Sequence, residues 1–211
     1  MTLDIKLDPI ESRVFGVLIE KALTTPDQYP LTLNATTNGA NQKSNRDPVL
    51  ALDEVEVDGA LRRLEQKYMV RKVFPSNSRV EKYVHNGKDA LGVDAAALAV
   101  LAELLMRGPQ TPGELRIRAS RMASIDTIEQ LMTILGVLIE RGYAQRLPPG
   151  HGSRAERYAQ LLCPDLHPLD AAPSSGGAPA ASDLVARVAA LEAEVQRLRE
   201  QLRQLADRLE A

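Results

Sequence analysis

Tryptophan is absent from these 211 residues, and five tyrosines and two phenylalanines are the only aromatic side chains apart from histidine. A core made without rings has to be filled by Leu, Val, Ile and Ala. A single cysteine, Cys163, excludes an intramolecular disulfide and fits a reducing compartment. Neither sign of charge dominates: 26 Lys and Arg against 28 Asp and Glu leave a formal −2. That balance excludes a global basic field that would drive non-specific nucleic-acid binding. His85, His151 and His167 stand apart, none at metal-ligand spacing to another histidine or to Cys163. No phosphate-cradling glycine loop and no nucleophile motif occurs. The expectation is a protein that is not an enzyme and holds no cofactor or metal, with Cys163 a small structural side chain. Neither a secretory leader nor a membrane-length apolar run is visible, so a soluble cytoplasmic protein is expected.

What the chain does have is a unit that occurs twice. In the first copy Asp53 and Glu56 have capping-box spacing, and Val57, Ala60, Leu61, Leu64 and Tyr68 recur at helical steps. Val70 and Val73, then Val80 and Val84, follow around the turn Pro75-Ser76-Asn77 and read as a half-buried hairpin. In the second copy Asp126 and Glu129 have the same spacing, and Ile128, Leu131, Met132, Leu135, Leu138 and Ile139 form the apolar face. Strands at 143–147 and 154–161 flank the turn at 148–152. A helix followed at once by a hairpin is the second half of a winged helix-turn-helix. Its return after roughly 75 residues points to duplication of a small domain.

The preceding stretches complete each copy. Residues 7–23 read as a helix capped by Asp8, with Pro9 at its first position, and Pro26 ends it. Residues 94–107 open the second copy, with Leu98, Leu101, Leu104 and Leu105 on the core side; Gly108-Pro109 stops that helix. Thr111-Pro112-Gly113-Glu114 then starts a short helix running to Met122. The matching stretch of the first copy is rich in Thr, Asn and Gly, so propensity predicts a loop there. The repeat predicts a helix from Leu31 to about Asn41, with 42–52 extended, and the repeat is the stronger argument. Residues 86–93, with two glycines, read as a hinge.

Residues 171–182 have linker composition and a reach of about 20 Å. Leu184, Val188, Leu191, Val195, Leu198, Leu202, Leu205 and Leu209 then alternate steps of four and three. Valine at a with leucine at d favours a parallel two-stranded coil, and Arg187 with Glu192, and Glu194 with Arg199, pair across it. The fold class is therefore mainly α with small β wings: two tandem winged helix-turn-helix domains (1–86 and 94–168), a linker, and a coiled-coil helix at 183–211 that makes a homodimer.

Three segments carry a family resemblance. They are Thr25-Pro26-Asp27-Gln28-Tyr29-Pro30-Leu31, Asn41-Gln42-Lys43-Ser44-Asn45-Arg46-Asp47-Pro48-Val49, and Arg107-Gly108-Pro109-Gln110-Thr111-Pro112-Gly113-Glu114-Leu115-Arg116. With them the chain, over nearly its whole length, resembles the YceH family of bacterial proteins, which is largely uncharacterised in function. The resemblance implies tandem winged helices with a C-terminal coiled coil and supplies no active site.

Winged helices most often bind DNA, with the helix before the wing in the major groove. That role puts nucleic-acid binding and transcription regulation first, by analogy of fold. The candidate contacts are Asn41, Lys43, Asn45 and Arg46 in the Asn-rich connection, Arg116, Arg118 and Arg121 on the second helix of copy two, and Arg79, Lys82, Arg154 and Arg157 on the wings. Each group also reads as solvated charge, as a turn cap, or as a partner for Glu81 or Glu156 across a hairpin. Against DNA, the first presumed recognition helix opens with Asp53, Glu54, Glu56 and Asp58, and the second has no basic residue before Arg141. The alternative is a protein-interaction scaffold gripping a partner chain, as tandem winged helices do in chromosome-segregation complexes. The expected partners are thus a second copy, and DNA or another protein, with no membrane. Deleting residues 183–211 is expected to convert a dimer to a monomer in light scattering; an unchanged mass would remove the coiled coil.

Overall fold

Each long helix starts where a polar side chain holds its first free amides. The computed structural model describes residues 5–74, 80–149 and 155–167. Asp8 accepts from the amides of Ile10 and Glu11, Glu11 accepts from the Asp8 amide, each at 2.8 Å, and Pro9 opens the first turn of α1 (Pro9–Thr24). Thr32 caps α2 (Leu33–Ala40), and Asp53 with Glu56 caps α3 (Glu54–Gln66). Beyond α3 the chain turns through Tyr68 at φ 58° into β1 (Val70–Val73), antiparallel to β2 (Lys82–His85) with Val70 opposite His85 and Val73 opposite Lys82. A short α4 (Gly87–Leu91) leads to α5 (Ala95–Arg107), capped by Asp94, and α6 (Pro112–Ala119), capped by Thr111 with Glu114. Then come α7 (Ile128–Glu140), a turn at Gly142 with φ 74°, and β3 (Ala144–Leu147), antiparallel to β4 (Arg157–Gln160).

The two halves match element by element. In each, the residue just ahead of the middle helix exchanges two backbone hydrogen bonds with a tyrosine of the second strand: Leu31 with Tyr83, and Gln110 with Tyr158. The chain is mainly helical with two small two-stranded sheets, an arrangement consistent with winged helices. Where propensity and repeat disagreed, the repeat prevails. The weak helix formers of α2 are held by tertiary packing, with Thr36 and Thr37 buried and their hydroxyls donating back to the carbonyls of Thr32 and Leu33.

Several expectations are corrected. The second capping box is Thr127 with Gln130, one residue later than Asp126 with Glu129, and the Asp126 amide also donates to Gln130 Oε1 at 2.8 Å. α6 ends at Ala119, so Arg121 lies past it. Residues 86–93 are no open hinge: they contain α4, and a Cβ on Gly87 would lie 2.9 Å from Leu98 and 3.1 Å from the Phe15 ring. Tyr68 is 80% exposed rather than on the apolar face of α3, because its left-handed backbone turns it out of the helix. Val80 is exposed, and Tyr83 takes the core side of the first wing. The linker and the heptad residues Leu184 to Leu209 lie outside the described residues.

The packing centre is the seam between α1 and α5. Buried positions run unbroken from Glu11 to Glu20 in α1 and from Ala97 to Met106 in α5. A helix covered on every side needs a neighbour on every side. Gly16 allows close approach: a Cβ there would stand 3.0 Å from Met106 Cγ, 3.5 Å from Leu105 Cβ and 3.6 Å from the Ala102 carbonyl oxygen. One hydrophobic cluster consequently runs through both lobes, which belong to a single compact unit within residues 1–172. Among the described residues no helix is long and apolar enough to cross a membrane. Gly16→Val is expected to cost about 1–3 kcal/mol of stability in urea denaturation by overpacking the seam; an unchanged midpoint would show that the helices can part freely.

Candidate interaction surface

The helices that precede the wings face solvent on the side away from the core. At the start of α3, Asp53, Glu54, Val55 and Glu56 are all exposed. Glu54 accepts from Asn34 at 3.0 Å, and Asp58 pairs with Arg62 at 2.8 Å. The other cations toward the end of α3 also have carboxylates. Arg63 reaches Asp8 at 2.8 Å and Glu11 at 3.2 Å, and Lys67 reaches Glu11 at 2.5 Å. α7 has no cation at all and presents Glu129, Glu140 and several apolar side chains. Hydrogen bonds from its own amide and from Thr127 hold the Glu129 carboxyl below the usual carboxylate range.

The Asn-rich connection turns Arg46 inward and half-buries Asn41 and Gln42. Asn41 closes a loop on Leu52, donating to its carbonyl at 2.7 Å and accepting from its amide at 2.8 Å. Arg46 is buried, donating to the Gly39 carbonyl at 2.9 and 3.1 Å and to Gln42 Oε1 at 3.0 Å, with Glu20 at 2.5 Å. Arg13, fully buried, donates to the carbonyls of Ala40 and Pro48 at 3.2 and 2.7 Å. Burial first, and then the Arg46 charge, pull the Arg13 guanidinium down to about 10. The connection also straps the first lobe to the second. The Asp47 amide donates to the Met106 carbonyl at 2.9 Å, Asn45 Oδ1 accepts from Arg107, and His167 Nε2 meets the Asp47 carbonyl. Asn45 adopts φ 59°, a left-handed position that asparagine tolerates. Lys43, Ser44 and Asn45 are exposed, as are Pro48 and Val49.

Beneath the strap lies an ionic clamp. Glu20 of α1 has one oxygen 2.5 Å from Arg46 and the other 2.6 Å from Arg121 of the second lobe. Arg121 also reaches Glu103 of α5 at 3.2 Å, and Glu103 lies 3.0 Å from Arg107. Burial alone would raise the Glu20 carboxyl; hydrogen bonds and charge from Arg46 and Arg121 outweigh it and hold the group below its ordinary value. Sequence reasoning did not find Glu20 or Glu103. The signal was available: each is a carboxylate inside a helix that is apolar nearly all round, where an ion requires a partner.

The remaining candidates are scattered. Arg116 donates to the Asp126 carbonyl at 3.2 Å, and Arg118 to Gln110 Oε1 at 2.8 Å. Lys82 and Arg157 are half-buried at the ends of the wings, while Arg79 and Arg154 lie outside the described residues. Among the described residues, Glu81 pairs with Lys72 at 3.0 Å, and Glu156 with Arg146. Of the candidates, the structure brings Arg46 and Arg121 together on Glu20, and their charges, with that of Arg118, act on Arg107, which Asn45 also contacts. His85 is pulled down to about 4, by burial and then by the Lys88 charge, and its Nδ1 accepts from the Gly87 amide. His151 is outside the described residues. Among the described residues no group of three or more His, Cys, Asp or Glu side chains could hold a metal ion.

Comparison with known proteins places the chain beside others of unassigned role. The family model described as "Protein of unknown function, DUF480" matches residues 7–153. A UPF0502 protein of Aeromonas hydrophila is 45% identical over 215 residues, covering 98% of each chain. UPF0502 proteins of Hahella chejuensis (47% over 208 residues, 92% of this chain and 94% of the relative) and Mesorhizobium japonicum (49% over 202 residues, 93% and 94%) are similar as well.

The clamp has a pH signature. Because the folded-state value of Glu20 is lowered, its contribution is complete above the ordinary carboxylate value of about 4.3 and is lost as pH falls through the folded value. Glu20→Gln is expected to cost about 3–5 kcal/mol at neutral pH, since it leaves the buried Arg46 short of a counter-charge. The variant's stability should also depend less on pH along the acid limb. Urea midpoints measured across that range check both; coincident curves for the two proteins would show that the charge does not hold the lobes.

Proposed function

The chain belongs to the DUF480 family, and we propose that it is a non-enzymatic protein-binding scaffold of tandem winged helices rather than a nucleic-acid-binding one. One observation carries this reading: the first turn of α3 and the whole outward side of α7 present carboxylates and apolar side chains and no cation. Phosphate contacts supply most of the affinity for DNA, and they need accessible cations. Here Arg46 and Arg121 are committed to Glu20, and Arg62, Arg63 and Lys67 to carboxylates of the first lobe. The likeness to the YceH proteins adds fold and no activity. A homodimer through the heptads of 183–211 would carry two such scaffolds.

Fluorescence anisotropy with a random-sequence duplex tests the reading at low ionic strength, where phosphate contacts are strongest. No saturable binding is expected. Saturable binding whose affinity falls with salt at a slope of about −0.9 per neutralised phosphate, summed over several phosphates, would overturn it.

A further inference from the structure

Helix α7 has more apolar surface than its lobe can cover. Of the six residues that its periodicity sets on one face, only Leu131, Leu135 and Leu138 are buried. Ile128, Met132 and Ile139, with Val137 on the other flank, are each between 38% and 41% exposed. Ile128, Met132 and Ile139 follow at steps of four and seven, which aligns them as a stripe along the helix. Gly136 lies beside that stripe, and nothing stands within 4 Å of where its Cβ would be. The glycine leaves a shallow gap between Met132 and Ile139. Tyr158 of the second wing borders the stripe, its hydroxyl 3.8 Å from Met132 Sδ.

Charge decides what could cover this surface. Glu129 and Glu140 are exposed at its two ends, with Asp126 just ahead of the helix. The two arginines at the ends of α7 are turned to backbone: Arg116 to the Asp126 carbonyl at 3.2 Å, and Arg141 to the Leu91 carbonyl at 3.4 Å. A second copy fits badly, because antiparallel pairing of two α7 helices sets Glu129 against Glu140 and parallel pairing sets each against itself. The chain's own segment 183–211 carries five basic and six acidic residues, so it offers no net positive charge. We propose that α7 is the docking face for an amphipathic helix of another protein, with apolar residues at three- and four-residue steps and Lys or Arg on its flanks. The proposal rests on the protein-binding reading above and adds the face and the chemistry of the partner.

The test is a selection on the full chain from a displayed library of helical peptides, with apolar residues fixed at three- and four-residue steps and all other positions random. The double variant Met132→Lys, Ile139→Lys is the comparison. Enrichment of Lys and Arg on the peptide flanks is expected. Selected peptides, resynthesised, should bind the double variant at least about tenfold more weakly, as when central apolar anchors are lost. Thermal melts confirm that the variant folds, and Met132→Ser, Ile139→Ser replaces it if it does not. Acidic or unbiased flanks, no enrichment, or equal affinity for the variant would overturn the proposal. Displacement of the peptides by a synthetic copy of residues 183–211 would assign the face to the chain's own tail, and a mass halved by the substitutions would assign it to a second copy; either overturns it. Peptides that bind equally well without the stripe sink this proposal and leave the scaffold reading standing, whereas salt-sensitive binding of random duplex DNA sinks that reading itself.

Discussion

The contact between α1 and α5 is the constraint on which the other features rest. Each helix is apolar on nearly all sides, so neither could face water without exposing much of its length, and each supplies the other's missing wall. The energy of that seam is hydrophobic: fully burying a Leu, Val or Phe side chain contributes roughly 1.5–3 kcal/mol, and the seam holds many of them. The clamp of Glu20, Arg46, Arg121 and Glu103 acts differently. Removing ions from water costs several kcal/mol each, so pairing them inside offsets a penalty more than it adds stability. Its consequence is register. Glu20 takes one arginine from the strap and another from the second lobe. A slip of either helix would leave a buried carboxylate without a counter-charge.

Because the seam is fixed, the outward helices are fixed as well. α3 and α7 are held by the same core, and the strap from Asn41 to Pro48 adds a backbone bond from Asp47 to Met106 of the other lobe. α3 and α7 thus keep fixed places on one compact body and are not carried on two tethered ones. A binder meeting such a body loses less free energy to ordering than one that must first align two loose domains.

Much of this was legible from residue types alone. The caps at Asp8, Asp53 and Thr111, the core positions of α5 and the two hairpins all follow from local chemistry and period. The repeat even predicted α2 against its own propensity. What was not legible depended on partners distant in sequence. Arg46 and Asn41 looked like a surface motif, because spacing cannot say which way a side chain points when its counter-charge, Glu20, is 26 residues away. The turn at Tyr68 was hidden for a related reason: its match in the second copy is Gly142, and a tyrosine at a left-handed position does not announce itself. Periodicity also gave α7 an apolar face without telling how much of that face the lobe would cover.

The two lobes share a fold and differ in what they present. α3 offers carboxylates around the single exposed Val55, whereas α7 offers a stripe of apolar side chains between two glutamates. Carboxylates on an interface contribute more to steering and partner choice than to raw affinity, and they would exclude acidic chains and phosphate backbones alike. Apolar anchors beside a gap contribute the affinity that charge alone does not. On the protein-binding reading proposed above, faces of these two kinds, held rigid by a buried seam, would select a basic partner through charge and retain it through the stripe. DNA satisfies neither half of that requirement, since its outer surface is anionic and offers no apolar ridge to the gap at Gly136.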